Sequence, residues 1–270
     1  MAEPTSSASW PAISVARMRS ARRLLTAKGR ESVGSFLAEG PQAVREALAW
    51  GDVHHLIVAP SSTDVSLRLA VEAALRGTPV FGAGDQDMAF VADTVHGQGI
   101  VAVCTRPSPT LDDVVSPRLV LILDEVRDPG NVGTLIRTAD AFGADAVIAT
   151  SGTAEPWAPK AVRASVGSVF HLPIVTGVGF ADAVEWAAGR GLDVLAADAE
   201  GSPLNDPGVV EVLRAGVAWV VGNEARGLPG DHLAMAHRTV AVPMRGKAES
   251  LNVATAAAIC LYETAVAQGF

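Results

Sequence analysis

Several features that mark other protein classes are scarce or missing in this chain of 270 residues. Only two cysteines occur, Cys104 and Cys260, without a CxxC pair, and we expect both to be small core residues in a reducing compartment. No apolar run approaches the roughly 18 residues of a membrane span, and the first residues lack the charged and apolar blocks of a signal peptide. These absences favour a cytoplasmic protein.

Motifs of several enzyme classes are absent too. No GxGxxG follows an apolar run, so the usual dinucleotide and Rossmann-methyltransferase fingerprint is missing. The string around Lys247 resembles a phosphate loop, but Ala241 stands where that loop needs glycine. There is no GxSxG elbow, and the histidines lack metal-ligand spacing, so we expect no metal. The sequence therefore disfavours a nucleotide-binding protein, a serine hydrolase of this type and a metalloprotein.

The composition is that of a globular protein, because 49% of the residues are apolar and can form a full core. The length of 270 residues suits two domains or one large domain. A net charge of −8 argues against a protein that coats nucleic acid with its whole surface. One segment, 13–30, is nevertheless basic and has no acidic residue. It is either a solvated helix face or a helix that contacts RNA phosphates, and the pattern alone does not decide. Its cations are Arg17, Arg19, Arg22, Arg23, Lys28 and Arg30.

The chain divides into four predicted segments. Residues 1–12 are rich in Ser, Ala and Pro and predict a disordered tail, and 13–104 alternate between helix and strand patterns. Residues 105–117 contain three prolines and predict a linker, and 118–270 alternate again. Such alternation predicts an α/β protein with mainly parallel sheets and helices on both faces.

Three short segments of the second half combine an apolar run with a polar, glycine-containing turn: LILDEVRDPGNVGTLIRTADAFGADAVI (121–148), WVVGNEARGLP (219–229) and VPMRGKAESLNVATAAAI (242–259). In an open α/β sheet the ligand site lies at the carboxyl ends of the strands, where such turns fall. Packing alone does not readily explain three of them. A ligand site built from these segments is therefore expected.

Individual residues in these segments allow two interpretations. Asn131, where a helix begins, and Ser250, at the start of the last helix, could each be an ordinary N-cap. Arg137 lies in an apolar stretch and should need a buried partner or a phosphate or hydroxyl ligand. Gly222 could bring its backbone close to a ligand, with Glu224 beside it.

Together, the pattern N-x-G-x-x-x-R, the loop GNE-x-x-GL and the segment P-M-x-G-x-x-x-SLNV resemble the motifs of the SpoU/TrmH family of RNA ribose 2′-O-methyltransferases, in the SPOUT superfamily. The likeness covers about 118–270. The resemblance implies a C-terminal parallel-sheet α/β domain with a deep trefoil knot. It also implies a smaller N-terminal α/β domain, like certain ribosomal proteins, that grips substrate RNA.

The resemblance further implies S-adenosylmethionine as methyl donor and a homodimer through the C-terminal domain that completes the site. The cofactor-binding residues that it implies are Gly222, Val242, Met244, Gly246, Leu251 and Asn252. The catalytic set that it implies is Arg137, Asn131, Glu224, Ser250 and Asn252. Arg137 would either orient the ribose hydroxyl and a phosphate or act as base once a phosphate has perturbed it.

The substrate expected from the resemblance is structured RNA, with ribosomal RNA favoured over transfer RNA because of the added N-terminal domain. A non-catalytic RNA-binding protein of the same fold is the alternative, but such a protein would be expected to lose Arg137, Asn131 or Asn252. A small-molecule α/β enzyme would have no use for the basic segment.

Overall fold

The computed structural model describes residues 10–92 and 98–269. The chain forms two compact units. The N-terminal unit comprises Met1–Arg106 and Trp157–Arg163, and the C-terminal unit comprises Pro107–Pro156 and Ala164–Phe270.

The N-terminal unit is a mixed sheet with helices between its strands. Its strands are β1 (Ser35–Glu39), β2 (Val53–Val58), β3 (Val80–Gly82) and β4 (Ile100–Thr105). Its helices are α1 (Val15–Arg23), α2 (Ala27–Val33), α3 (Pro41–Trp50), α4 (Asp64–Leu75) and α5 (Asp85–Met88).

The strand order in this sheet is β1-β4-β2-β3, and β4 runs antiparallel to both β1 and β2. Among the strands of this unit that the structure describes, β2 and β3 form the one parallel pair. The prediction of a mainly parallel sheet is therefore wrong for this unit. Hydrophobic alternation reports which strand faces are buried, whereas strand direction depends on pairing between distant segments.

The basic segment 13–30 forms two helices, α1 and α2, rather than one. Thr26 ends the connection between them, and its hydroxyl accepts a hydrogen bond from Gly29 N at 3.1 Å, which caps α2. A Cβ at Gly29 would overlap the carbonyl of Arg23, so glycine is needed where the two helices approach.

Of the segment predicted to be a disordered tail, 1–12, the structure describes only residues 10–12. Residues 1–9 lie outside the described residues. Residues 10–12 are ordered, because Gly82 N donates to Pro11 O and Ile13 N donates to Gly82 O, both at 2.9 Å. The prediction is wrong for these three residues, since their backbone groups extend the edge of the sheet at β3.

The C-terminal unit is an open parallel sheet covered by helices. Its strands are β5 (Leu119–Leu123), β6 (Ala146–Thr150), β7 (Ile174–Val178), β8 (Asp193–Pro203), β9 (Val217–Val221) and β10 (Arg238–Ala241). Its helices are α6 (Pro129–Ala141), α8 (Phe180–Gly189), α9 (Pro207–Leu213), α10 (Gly230–Met235) and α11 (Val253–Ala267), while α7 (Pro159–Ser165) spans the change between the units.

The strand order is β10-β8-β9-β5-β6-β7, and every neighbouring pair is parallel, as predicted for this half. The strands β5, β6 and β9 are buried throughout. Because β5 and β9 are neighbours in register, with Leu123 opposite Val221, the loops that follow them begin side by side. This arrangement brings two of the three motif segments together.

The strands β8 and β10 pair with a large irregularity. Thr239 pairs with Ala196, whereas the next residue, Val240, pairs with Ser202. Residues 197–201 therefore bulge out of the ladder. A Cβ at Gly201 would come within 2.4 Å of Val240 N, so glycine permits the strands to meet again after the bulge.

The segment predicted as a linker, 105–117, is partly structured. Thr105 ends β4, and Leu111–Asp113 form a 3₁₀ turn capped by Thr110. Val114 is buried in the core of the C-terminal unit, and Leu111 packs against that core. Burial of these apolar side chains explains why the second part of the segment is fixed.

Within residues 10–92 and 98–269, no helix is long and apolar enough to cross a membrane, and no group of three His, Cys, Asp or Glu side chains could hold a metal ion. Both cysteines are free and buried, as predicted. Burial raises the pKa of Cys260 to about 12 and that of Cys104 further still.

Candidate active site

An open cleft of about 520 Å³ lies at the carboxyl end of the C-terminal sheet. Its wall is formed by β8 around Asp198, the loop after β9, the segment after β10 and the first turn of α11. The volume is within the range of small-molecule sites. All three sequence motifs contribute residues to this one cleft.

Three side chains from these motifs form a hydrogen-bonded chain at the cleft. Asn252 Nδ2 donates to Asn131 Oδ1 at 3.2 Å, and Asn131 Nδ2 donates to Glu224 Oε1 at 3.0 Å. This Asn252–Asn131–Glu224 relay joins the start of α11, the start of α6 and the loop after β9. Each of the three residues also lines the cleft.

Glu224 is the acceptor at the end of this relay. Its two carboxylate oxygens also accept hydrogen bonds from Arg127 N at 3.2 Å and Asp128 N at 3.1 Å. Partial burial raises the pKa of Glu224, but the hydrogen bonds from Asn131 and from nearby backbone N–H groups outweigh burial, so the pKa lies below its ordinary value. Glu224 is therefore ionised at neutral pH and acts as a fixed acceptor.

Asn131 is free to join the relay because it is not the N-cap of α6. Asp128 is the N-cap: its carboxylate accepts a hydrogen bond from Asn131 N at 3.0 Å, and Pro129 occupies the first helical position. The N-cap interpretation of Asn131 is wrong, since the capping residue lies three positions earlier.

The N-cap interpretation of Ser250 is also wrong, because α11 begins at Val253 and Asn252 is its cap. Asn252 Oδ1 accepts a hydrogen bond from Ala254 N at 2.9 Å, while its amide nitrogen donates to Asn131. One side chain thus fixes the helix start and the relay together. Ser250 lines the cleft instead.

The residues predicted to bind the cofactor fall mostly in the cleft. Gly246 does not line it and is exposed. Those that line it are Gly222, Val242, Met244, Leu251 and Asn252.

Gly222 has a specific steric requirement. A Cβ at this position would lie 2.7 Å from the carbonyl carbon and oxygen of Gly227 and 2.8 Å from Leu228 Cγ. The side chain would therefore collide with the returning strand of its own loop. Glycine is needed so that the loop 222–228 can fold back and form one wall of the cleft.

One wall of the cleft was not predicted from the sequence. Ala197, Asp198 and Ala199 line it from the bulge in β8. Asp198 Oδ1 accepts a hydrogen bond from Glu200 N at 3.0 Å, and Oδ2 faces Gly227. The apolar run ends at Asp198, with Glu200 and Gly201 just after it, so a polar, glycine-containing turn was readable here as in the three motifs.

Arg137 is placed differently from the other predicted catalytic residues. It follows Asn131 by six positions on α6, so at about 100° per residue the two side chains point to different sides of the helix. Arg137 does not line the cleft and is exposed. Within the described part of the chain it has no hydrogen bond or ion pair, so the expected buried partner is not found.

The basic residues of segment 13–30 are mostly exposed. Arg30 is the exception, with 3% exposure and a hydrogen bond from Nη1 to Leu24 O at 2.7 Å. Assigning Arg30 to RNA contact is therefore wrong, because its guanidinium supports the turn between α1 and α2. The exposed members are Arg17, Arg19, Arg22, Arg23 and Lys28.

Two of these exposed arginines lie against aromatic rings. The Arg17 guanidinium is 4.6 Å from the centre of the Phe81 ring, and that of Arg22 is 4.9 Å from the centre of the Phe90 ring. Such contacts hold a flexible side chain without using its N–H donors. Both guanidinium groups keep hydrogen-bonding capacity for an anionic ligand.

The C-terminal half matches a known family. The model of the SpoU rRNA Methylase family covers residues 118–262, and that of the MRM3-like substrate binding domain covers residues 16–102. The chain belongs to the SpoU rRNA methylase family. The resemblance drawn from the three motifs is confirmed.

Individual members of this family are similar over most of their length. The 23S rRNA (guanosine(2553)-2′-O)-methyltransferase RlmP of Bacillus subtilis (strain 168) is 35% identical over 244 residues, which are 89% of this chain and 92% of that protein. The AdoMet-bound rRNA methyltransferase from Sinorhizobium meliloti has a TM-score of 0.78 and 30% identity, covering 94% of this chain and 95% of that one.

A further solved structure is the SpoU methyltransferase AviRb from Streptomyces viridochromogenes in complex with the cofactor AdoMet. It has a TM-score of 0.81 and 27% identity, and the match covers 94% of this chain and 98% of that one. The α/β fold with its parallel sheet is thus the fold of SpoU methyltransferases.

Proposed function

We infer that this protein is an S-adenosylmethionine-dependent methyltransferase that methylates a ribose 2′-hydroxyl of structured RNA, ribosomal RNA in preference to transfer RNA. The observation that carries this inference is the Asn252–Asn131–Glu224 relay, which unites three distant motif residues at one cleft. A fold maintained only for RNA binding would not need this polar chain. The non-catalytic alternative is therefore disfavoured.

The cleft suits S-adenosylmethionine, which carries a flat adenine, a ribose diol and a charged amino-acid tail. Apolar side chains such as Val242 and Leu251 offer surface to the adenine, and Asp198 and Glu224 offer carboxylates to hydroxyl or ammonium groups. The loop at Gly222 brings backbone groups to the cleft. When bound, the cofactor supplies an electrophilic methyl group on a sulfonium.

The chain's own contribution is positioning. A ribose hydroxyl is a weak nucleophile, so the protein must place it in line and help to move one proton. We assign to Asn131, Glu224, Ser250 and Asn252 the placement of the ribose and cofactor. Arg137 orients the hydroxyl and a neighbouring phosphate or, once perturbed by that phosphate, accepts the proton; a free guanidinium is a poor base.

Because Arg137 does not line the cleft of its own chain, we assign its supply to a second subunit. We therefore propose a homodimer through α6 and α11. Tyr262 and Val266 of α11 are each 48% exposed, and Phe142, just after α6, packs edge-on against Tyr262. This apolar patch lies on the helix pair that carries Arg137, and a partner would cover it.

The knot belongs to the same proposal. The segment between β10 and α11 contributes Val242, Met244 and Ser250 to the cleft, and α11 then packs against α6 and β9 in the middle of the unit. Threading the last helix through a loop would place these cleft residues on a constrained backbone. A trefoil knot would thereby supply the rigidity that a glycine-rich turn supplies in Rossmann enzymes.

The N-terminal domain, residues 13–104, grips the RNA through its exposed cations, and a substrate of ribosomal RNA places the enzyme in the cytoplasm. The experiment is transfer of a tritiated methyl group from S-adenosylmethionine to ribosomal RNA and, separately, to transfer RNA. Nucleoside analysis of the product should show a 2′-O-methyl ribose in the ribosomal RNA. Methylation of a base, or of neither RNA, would contradict the assignment.

A further inference from the structure

Two arginines beside the cleft share a single carboxylate oxygen. Arg127 Nη2 lies 3.0 Å and Arg226 Nη2 lies 2.8 Å from Glu125 Oε2. Because both Nη2 atoms contact the same oxygen, the two guanidinium groups lie close to each other. Arg127 follows β5 and Arg226 follows β9, so tertiary structure alone makes them neighbours.

Both arginines lie at the rim of the cleft. Arg226 stands between Ala225 and Gly227, which line the cleft, and Arg127 N donates a hydrogen bond to Glu224. Neither arginine side chain lines the cleft itself. Both therefore lie next to residues of the cleft wall, on the loops that follow β5 and β9.

Glu125 is held in an uncommon conformation. Its φ is 51°, in the left-handed region that residues other than glycine rarely adopt, and its carbonyl accepts a hydrogen bond from Asn223 Nδ2 at 3.0 Å. A Cβ at Gly152 would approach Glu125 Cγ to 3.2 Å, so glycine leaves room for this side chain. Strain of this kind persists where the surroundings enforce it, and it concentrates at functional sites.

The guanidinium groups retain most of their donors. Each guanidinium has five N–H donors, and the side chains of Arg127 and Arg226 are 63% and 68% exposed. The neighbouring carboxylates are engaged by other donors: Glu224 accepts from backbone N–H groups and Asn131, and Asp128 caps α6. Two outward-facing guanidinium groups suit the paired oxygens of a phosphate.

We propose that Arg127 and Arg226, fixed by Glu125, bind a backbone phosphate of the RNA next to the ribose that is methylated. This inference rests on the proposed function. An exposed ion pair alone contributes little to stability, so a purely structural role does not account for a glutamate in the left-handed region that aligns two arginines. Phosphate binding at the rim explains the alignment, because it sets the position of the adjoining ribose.

The test is RNA binding by the full chain over a series of salt concentrations, with in-vitro-transcribed large-subunit ribosomal RNA as the probe. The double variant Arg127→Ala/Arg226→Ala should bind about tenfold more weakly, and its slope of log K against log salt should be shallower by about one. The variant Arg127→Lys/Arg226→Lys keeps both charges and should retain most of the slope.

Arg214→Ala is the matched control, because Arg214 is also 63% exposed and pairs with Glu211 at 3.0 Å away from the cleft. It should leave RNA binding unchanged. An alanine double variant with the slope of this control would overturn the phosphate site. Titration with S-adenosylhomocysteine tests the proposed function separately. Wild-type protein that binds neither this ligand nor RNA would overturn the proposed function and the phosphate site together. If the alanine double variant changes only in ligand affinity or melting temperature, the two arginines are structural.

Discussion

Asn131 Nδ2 donates a hydrogen bond to Glu224 Oε1 at 3.0 Å, although 93 positions separate the two residues in the chain. The contact exists because β5 and β9 are adjacent parallel strands whose carboxyl ends open onto the same cleft. Asn252 extends it to the start of α11. The relay therefore couples the geometry of three loops, and its loss should alter the cleft as a whole.

Replacing Glu224 by glutamine should lower kcat/KM for RNA methylation about tenfold or more, because the new amide group would face N–H donors and leave some of them unpaired. Melting temperature should fall only slightly, since Glu224 lies at the surface of the loop. Steady-state methyl transfer measures the effect. Glu185→Gln, an exposed carboxylate on α8, is the control and should behave as wild type.

The same carboxylate predicts a pH dependence. Because the folded-state pKa of Glu224 is below its ordinary value of 4.5, its contribution to stability is fully present above that value. The contribution is lost as the pH falls through the lower folded-state pKa. Thermal unfolding of wild type and Glu224→Gln should therefore converge in acid; a difference that grows on acidification would contradict the hydrogen-bonded carboxylate.

Gly222→Ala should weaken binding of S-adenosylhomocysteine by at least about tenfold. The reason is steric, because the added Cβ would collide with the backbone of Gly227 and displace the loop. Titration calorimetry measures the affinity. Gly189→Ala in α8 is the control, because nothing lies within 4 Å of a Cβ there. Unchanged affinity in Gly222→Ala would remove this loop from the cofactor site.

Arg137→Ala should keep RNA and S-adenosylhomocysteine binding while turnover falls by orders of magnitude, since the lost group acts on the reacting hydroxyl. If a partner subunit supplies Arg137, mixing this variant with Glu224→Ala should raise activity above that of either variant alone. Random exchange of subunits would give about one quarter of the wild-type rate, because half of the dimers then hold one intact site. No recovery after verified subunit exchange would place Arg137 in its own chain's site.

The exposed cations of the basic segment should govern RNA affinity. Reversing three of them to glutamate should weaken RNA binding at least about tenfold and flatten its salt dependence, while affinity for S-adenosylhomocysteine stays unchanged. Fluorescence anisotropy with labelled ribosomal RNA measures both. The reversed set is Arg19, Arg22 and Arg23, and the control set is Arg45, Arg68 and Arg76, which are exposed in the same unit.

Equal weakening by the two sets would mean that only net charge matters, and the basic segment would then be a solvated helix face. Arg30→Ala separates structure from binding. It should lower the melting temperature, because a buried carbonyl at Leu24 loses its donor.

The sequence alone determined the family, the parallel C-terminal sheet and most of the cleft. These features could be predicted because each motif joins a buried strand to a polar turn. The turn residues lie within a few positions of the strand that positions them, so the local sequence records both. The same local character left the capping roles undecided. Aspartate, asparagine and serine all cap helices, and the choice of Asp128 over Asn131 and of Asn252 over Ser250 depends on which side chain another segment engages.

Tertiary structure alone decided the direction of β4, the bulge of β8 that brings Asp198 to the cleft, and the burial of Arg30. It also decided that Arg137 points away from the Asn252–Asn131–Glu224 relay and that Glu125 aligns two arginines from different loops. These features depend on contacts between residues far apart in the chain. Hydrophobic period and residue type record whether a position is buried, but not which distant backbone or side chain it meets.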